Sequence, residues 1–356
     1  MKKFLLLPCC LLFLFSCKKD PERVEDNSGT YYYPPITGDS WETKTAASLK
    51  WDESKLNAAF EFAGAKNTYG LIVLHQGKIV KEQYWNNWTK DTRYYLASAG
   101  KSVVGLIAGL AQQEGIINLN DKTSKYLGVG WTSMPAEKEA LITIRHQLSM
   151  STGLDDRYSD PDCMEPNCLV YKEDAGKRWA YHNAPYLLLH NVLSAASGLS
   201  WNAYCKQVLF DKIGIKGFWL NNVMYCTTRD AARFGSLILR KGEWDGKKIL
   251  TDGTYFNDMT NSSQSYNNSY GYLWWLNGKS SFMLPQVQFQ FQGALVPEAP
   301  SDMIMALGKD DKKIYVIPSL NMVVIRLGDS ANQTTAGPSS FDNELWARFK
   351  LAMKYP

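Results

Sequence analysis

Residues Tyr94 to Gly115 read YYLASAGKSVVGLIAGLAQQEG. After Ser98 this run is apolar on nearly every face, with Val103, Val104, Leu106, Ile107, Ala108, Leu110 and Ala111, so the pattern predicts a helix sunk into a core. Ser98 then falls on the first turn, where unpaired backbone N–H groups and the positive end of the dipole favour negative charge. Lys101, three residues on, shares its face and lies within reach of the hydroxyl. A solvated lysine is protonated at neutral pH, whereas burial favours the free amine, which can act as the base for a serine nucleophile. The same S-x-x-K spacing recurs from Ser16 to Lys19, so spacing alone selects nothing. The helix start and the apolar helix behind it single out Ser98.

Working outward, the first 17 residues read as a targeting segment: Lys2 and Lys3 form a charged start and Phe4 to Phe15 an apolar stretch too short to span a bilayer. The segment ends in Leu14-Phe15-Ser16-Cys17, which resembles the lipobox of bacterial lipoproteins and predicts export with lipid attached at Cys17. Residues 18–45, with Pro21, Pro34 and Pro35 and no apolar periodicity, read as a flexible tether between membrane and folded body. Beyond the leader roughly 340 residues remain, enough for a well-filled core. Loss of Lys2 and Lys3 lowers the formal net charge from +4 to +2, a balance that implies neither a nucleic-acid partner nor a polybasic membrane patch.

Export gives the cysteines a meaning. Cys9 and Cys10 leave with the leader, so Cys163, Cys168, Cys205 and Cys226 face an oxidising compartment. Asp160-Pro161-Asp162 and Pro166 mark a tight loop that favours a Cys163–Cys168 bond, while Cys205 and Cys226 either pair or stay as buried thiols. No C-x-x-C pair or nearby histidine set offers zinc ligands.

Periodicity gives the layout of the domain, residues 46–356. A helix around Leu56, Phe60 and Ala63 precedes a hairpin, Leu71 to Leu74 and Ile79 to Tyr84, turning at Gln76-Gly77. From about 121 to 264 the patterns are mostly helical. Strand-like runs return at Tyr272 to Leu276, Met303 to Leu307, Ile314 to Ile317 and Met322 to Leu327, and a helix from Phe341 to Met353 follows with Ser340 as its cap. An α/β (α+β) fold follows: one sheet built from about 46–120 and 265–356, with a helical insert between. Alternation puts Tyr272 and Trp274 on one face and Trp275 on the other, and leaves open which of them lines a cleft.

Common chemistries fall away quickly. Gly100-Lys101-Ser102 and Gly278-Lys279-Ser280 mimic the end of a P-loop, but Tyr95 and Leu273 stand where its first glycine belongs. There is no G-x-S-x-G elbow, and His75, His146, His182 and His190 form no H-E-x-x-H, so the histidines read as structural. A second constellation does stand out: Tyr181-His182-Asn183, at the start of a helix with Leu187, Leu188, Leu189, Val192 and Leu193. A loop there can turn a phenol and an amide into a shared cleft, and a lysine ammonium beside the phenol would lower its pKa for proton shuttling.

Ser98-x-x-Lys101 followed by Tyr181-x-Asn183 resembles the serine β-lactamase and penicillin-binding-protein-like hydrolases, in the branch of class C β-lactamases, related esterases and 6-aminohexanoate-dimer hydrolases. Residues 142–154, ITIRHQLSMSTGL, resemble the family segment ITIRHLLTHTSGL, and residues 228–235, TRDAARFG, resemble its SARDMARFG helix. The resemblance covers about residues 50 to 355. It implies an antiparallel sheet flanked by helices, an all-helical insert and a cleft between them. It also implies that Ser98 forms an acyl-enzyme, that Lys101 and Tyr181 move its proton, that Asn183 orients the substrate or the lysine, and that no metal or organic cofactor is needed.

The third family motif is where the chain departs. The stretch Met303 to Gly308, then Lys309-Asp310-Asp311-Lys312-Lys313-Ile314, resembles the A-x-G-x-x-G-Q-x-I variant, with Ala306 replacing the family lysine and Asp311 and Lys312 replacing Gly and Gln. Gly308 is retained, so the backbone N–H of Lys309 is expected to join that of Ser98 as an oxyanion hole. The expected activity is hydrolysis of small esters or amides by an exported, lipid-anchored serine hydrolase. The alternatives are a β-lactamase or D-amino-acid peptidase acting on cell-wall peptides, and a non-catalytic binder or sensor on the same fold.

Overall fold

The computed structural model describes residues 31–157, 159–331 and 337–355; the leader, Cys17 and the tether as far as residue 30 lie outside them. Helix α1 (Glu53–Ala65) leads into the hairpin β1 (Thr68–His75) and β2 (Lys78–Tyr84), then β3 (Arg93–Tyr95) and helix α2 (Gly100–Gln113). Helix α3 (Asn183–Ser197), strands β4 (Phe218–Leu220) and β5 (Val223–Thr227) and helix α4 (Thr228–Leu239) come next. Strands β6 (Trp275–Leu276), β7 (Ile304–Gly308), β8 (Lys312–Ile317) and β9 (Met322–Gly328) and helix α5 (Ser340–Met353) complete the set that positions the site.

The main sheet runs β2-β1-β9-β8-β7-β6, antiparallel throughout, so strands from the two ends of the domain meet where Ile72 faces Ile325 across β1 and β9. Its strands β7, β8 and β9 are buried along their whole length, which fits β-branched runs covered on both faces. Neighbouring residues of β8 show what covers each face. A Cβ on Gly235 of α4 would lie 3.4 Å from Ile314, while the next residue, Tyr315, packs its ring 5.6 Å from Trp346 of α5. Since successive side chains point to opposite faces, α4 and α5 sandwich the sheet. Beside α5, Phe62 of α1 stacks on Phe341 at 5.8 Å.

The antiparallel sheet with flanking helices is the expected fold. The insert, however, is not wholly helical: β4 and β5 lie in it and pair with β3 as a second sheet, β3-β5-β4. Its first part has a core of its own, built on Trp131, Ile142, Leu154, Leu169, Ala184 and Leu188.

Two further details differ from the sequence expectation. Tyr31 to Thr45 belong to the folded body and not to a tether, because their backbone and aromatic groups are used: Tyr32 N–H donates to Gln76 C=O (3.1 Å), Arg233 donates to the carbonyls of Pro34 and Pro35 (3.2 and 2.8 Å), and Tyr33 packs edge-on to Trp244. Helix α5 is capped by Ser339 instead of Ser340, in a capping box with Asp342. The Cys163–Cys168 bond is formed, and Cys205 and Cys226 stay apart as buried thiols.

Candidate active site

Helix α2 is buried from Gly100 to Ala111, as its all-round apolar sequence requires. Ser102 fixes its start by donating from Oγ to the carbonyl of Leu273 at 2.6 Å. Ser98 sits just ahead of it, in a 3₁₀ turn over Ala97–Ala99. Ala97 has φ +48°, a left-handed conformation that disfavours a residue with a Cβ, so the turn carrying the serine is held by its surroundings. Those surroundings are β3, which leads into Leu96 with its N–H bonded to Met224 C=O (2.8 Å), and the end of β7. Gly308 there leaves no room for a side chain: a Cβ would lie 2.3 Å from Leu96 O and 3.1 Å from Ala99 N. The strand end therefore abuts the serine turn, and Lys309, the next residue, has its side chain in solvent.

The four residues expected to act together are brought together. Lys101 Nζ lies 3.0 Å from Ser98 Oγ and donates to Asn183 Oδ1 at 2.8 Å. Its side chain is only 3% exposed and runs between aromatic rings, with Nζ 4.3 Å from the centroid of Tyr186 and 5.0 Å from that of Tyr181. Burial drives the amine down from 10.5 to about 7, and Asp162 opposes that shift. Burial thus shifts the Lys101 amine toward its free form, beside a half-buried serine hydroxyl.

Tyr181 also reaches the Ser98 hydroxyl, but its phenol differs from the expectation. Burial raises its pKa and only the Ser98 hydroxyl lowers it, so Tyr181 remains a neutral phenol at every physiological pH. No downward pull from a lysine ammonium offsets that burial, because burial also drives the Lys101 amine toward its free form. Trp275 stacks on Tyr181 at 5.7 Å, and Tyr270 and Trp179 meet it edge-on and tilted. Trp274 points away into the core against Phe234, which decides which tryptophan adjoins the cleft. The segment Phe282 to Asp302 reaches the same place through Gln288, whose Nε2 donates to Trp179 C=O at 3.1 Å.

Two of the histidines have structural settings. His146 completes the capping box of Ile144–Leu148, and His190 stacks on Trp201 at 4.5 Å. The charges after β7 are also engaged. Lys312 is buried, 3.3 Å from Asp310 and 3.9 Å over the ring of Tyr95. Asp311 accepts from Ala331 N–H and Ser339 Oγ and pairs with Lys313, which explains why it can stand in place of Gly with φ +59°. Ala306 is fully buried within β7.

One contact was not signalled by any motif. Asp162, exposed beside the disulfide loop, accepts from Asn183 Nδ2 at 2.8 Å. The sequence marks Asp162 only as part of a tight loop, and only the folded loop brings it to the helix start.

Comparison with known proteins agrees with the fold. A family model described as Beta-lactamase matches residues 56–299. An uncharacterized protein of Alkalihalophilus pseudofirmus is 24% identical over 303 residues, covering 73% of this chain and 83% of its own length. A beta-lactamase of Escherichia coli is 25% identical over 169 residues, 42% of this chain and 43% of that protein. Among solved structures, a Bacillus anthracis protein provisionally named a 6-aminohexanoate-dimer hydrolase superposes with a TM-score of 0.65 at 16% identity, covering 90% of this chain and 88% of the other. EstCE1, described as a hydrolase with promiscuous acyltransferase activity, gives 0.61 at 12% identity, with 86% and 99% covered.

Proposed function

Because the chain belongs to the beta-lactamase family, whose members are hydrolases, we propose that it is a serine hydrolase that forms an acyl-enzyme on Ser98 with small esters or amides. The observation that carries this reading is the buried amine of Lys101, 3.0 Å from the Ser98 hydroxyl and brought by burial to about 7.

The free amine of Lys101 takes the Ser98 proton as Oγ attacks the carbonyl carbon, and the negative charge that develops on the carbonyl oxygen meets the N–H groups of Ser98 and Lys309. The closeness of Gly308 to the serine turn supports that pairing, since it sets Lys309 beside Ser98. Tyr181, a neutral phenol facing Ser98, donates a proton to the leaving alkoxide or amine and recovers one from the Lys101 ammonium. A water then repeats the cycle on the acyl-enzyme. Asn183 holds the lysine throughout.

Esters and uncharged amides suit this site better than substrates read through a carboxylate. Ala306 is buried and uncharged, Lys312 is occupied by Asp310, and no cation of β7 stands in the place of the family lysine. The leader and Leu14-Phe15-Ser16-Cys17 support export with a lipid on Cys17, and the Cys163–Cys168 bond fits an oxidising compartment. Small-molecule substrate and membrane, the latter through the lipid, are then the partners.

A fluorophosphonate probe and a short-chain nitrophenyl ester test the reading. Wild type should be labelled and active, and Ser98→Ala should lose both while its melting temperature moves little. Full turnover by Ser98→Ala would remove the serine from the mechanism. Labelled palmitate should enter the wild-type chain and not Cys17→Ser.

A further inference from the structure

The start of α3 carries two contacts from one loop. Ala184 N–H donates to Pro161 C=O at 3.1 Å, and Asn183 Nδ2 donates to Asp162 Oδ1 at 2.8 Å, with the loop closed immediately afterwards by Cys163–Cys168. The other end of the same amide, Asn183 Oδ1, accepts from Lys101 Nζ at 2.8 Å.

An ionised carboxylate can only accept hydrogen bonds, so Asp162 must take the NH₂ end of the amide. The carbonyl end is thereby turned toward Lys101. A free amine has two N–H groups and one lone pair, and an N–H held by Asn183 Oδ1 fixes the rotation of the group about its last carbon bond. The lone pair is then available to Ser98, 3.0 Å away. Were the amide reversed, its NH₂ would face the amine and compete for that lone pair.

We propose that Asp162 is a positioning residue of the Ser98 site: it sets the orientation of the Asn183 amide, and through it aims the Lys101 lone pair at the Ser98 hydroxyl. The proposal rests on the reading of Ser98 and Lys101 as nucleophile and base. It adds a charge effect of definite sign. Tyr181, Tyr186 and His190 also face Lys101, and His182 faces Asp162 with the Arg178–Asp156 pair and Asp155 behind it. Burial keeps both phenols protonated and pushes both imidazoles down to about 4, so these four side chains are uncharged near neutral pH. The Asp162 carboxylate favours the Lys101 ammonium and so holds back the free base.

Two variants separate orientation from charge, with kcat/KM for a nitrophenyl ester followed from about pH 5 to 9. Asp162→Asn keeps an acceptor oxygen for Asn183 and removes the charge. Its acid limb should move to lower pH, so that at about pH 5.5 it retains a larger share of its own plateau than wild type does of its own. Asp162→Ala removes both, and its plateau should fall about tenfold, the loss typical of one hydrogen bond to a charged group. Asp162 is exposed, so neither change should lower the melting temperature appreciably, and that measurement separates positioning from folding. An Asp162→Asn profile superimposed on wild type, or an Asp162→Ala plateau equal to wild type, would overturn the proposal while labelling of Ser98 left the serine-hydrolase reading intact. Persistent turnover by Ser98→Ala would sink both.

Discussion

Replacing Lys101 by Met should abolish turnover and yet make the protein more stable. The lysine is 3% exposed, and holding its amine at about 7 instead of 10.5 costs, at about 1.4 kcal/mol per pH unit, about 5 kcal/mol at neutral pH. Methionine has a similar length and no charge to desolvate. The change strands Asn183 Oδ1, which loses its Lys101 donor, and an unsatisfied acceptor costs about 1 to 3 kcal/mol. The net gain is about 2 to 4 kcal/mol, or about 3 to 6 °C in melting temperature for a chain of this size. The pH dependence supplies the sharper check. Between about 7 and 10.5 the unfolded chain binds a proton at Lys101 that the folded chain does not, so wild-type stability rises with pH across that window. Below about 7 both states carry the proton and the penalty is at full size. The advantage of Lys101→Met should therefore be greatest at or below pH 7 and shrink toward pH 10. Thermal melts of both proteins at several pH values measure it. A variant less stable than wild type at pH 7, or an advantage that stays constant with pH, would refute the argument that burial makes this lysine a base.

Lys101→Ala and Tyr181→Phe should each lose most of the rate, and the double variant little more, because the two groups pass one proton; fully additive losses in a double-mutant cycle would make one of them structural. On a single preparation, kcat/KM for a short-chain nitrophenyl ester should exceed that for nitrocefin, since a substrate relying on a charged contact that Ala306 cannot supply loses about 10- to 150-fold. A nitrocefin value at or above the ester value would show that another cation fills the role. Gly308→Ala should cut kcat about a hundredfold, because its Cβ, 2.3 Å from Leu96 O, must push the serine turn out of place. Near-normal rates with the melting temperature unchanged would mean that the strand end does not set the serine's position.

Much of this architecture is legible in the chain because it rests on local periodicity. Helix α2, the β1–β2 hairpin, the long strands and α5 all carry patterns that their burial confirms. Ser98, Lys101, Tyr181 and Asn183 could be singled out because each stands at a fixed place relative to a helix start. What escaped depends on contacts distant in sequence. Tyr31 to Thr45 look like linker because their order comes from Arg233, Gln76 and Trp244, and not from any pattern of their own. The state of the Tyr181 phenol depends on the rings packed around it, which no motif records. Alternation could not assign Trp274 and Trp275, since Tyr272 and Leu273 precede the strand and Leu273 adopts φ +61°. Asp162 marked only a tight loop in the sequence, with nothing to link it to Asn183.

The sheet order has a consequence for timing. Ser98 and Lys101 are neighbours on one helical turn and can approach each other as soon as that segment is made, but β7 with Gly308 and Lys309 comes about two hundred residues later. Closing so long a loop is slow compared with forming a helix. A growing or partly threaded chain therefore holds Ser98 beside Lys101 without the strand that backs the serine turn. On the mechanism proposed for Ser98, reactivity is then tied to completion of the fold, and a chain cut short before β7 would carry the serine and do nothing with it.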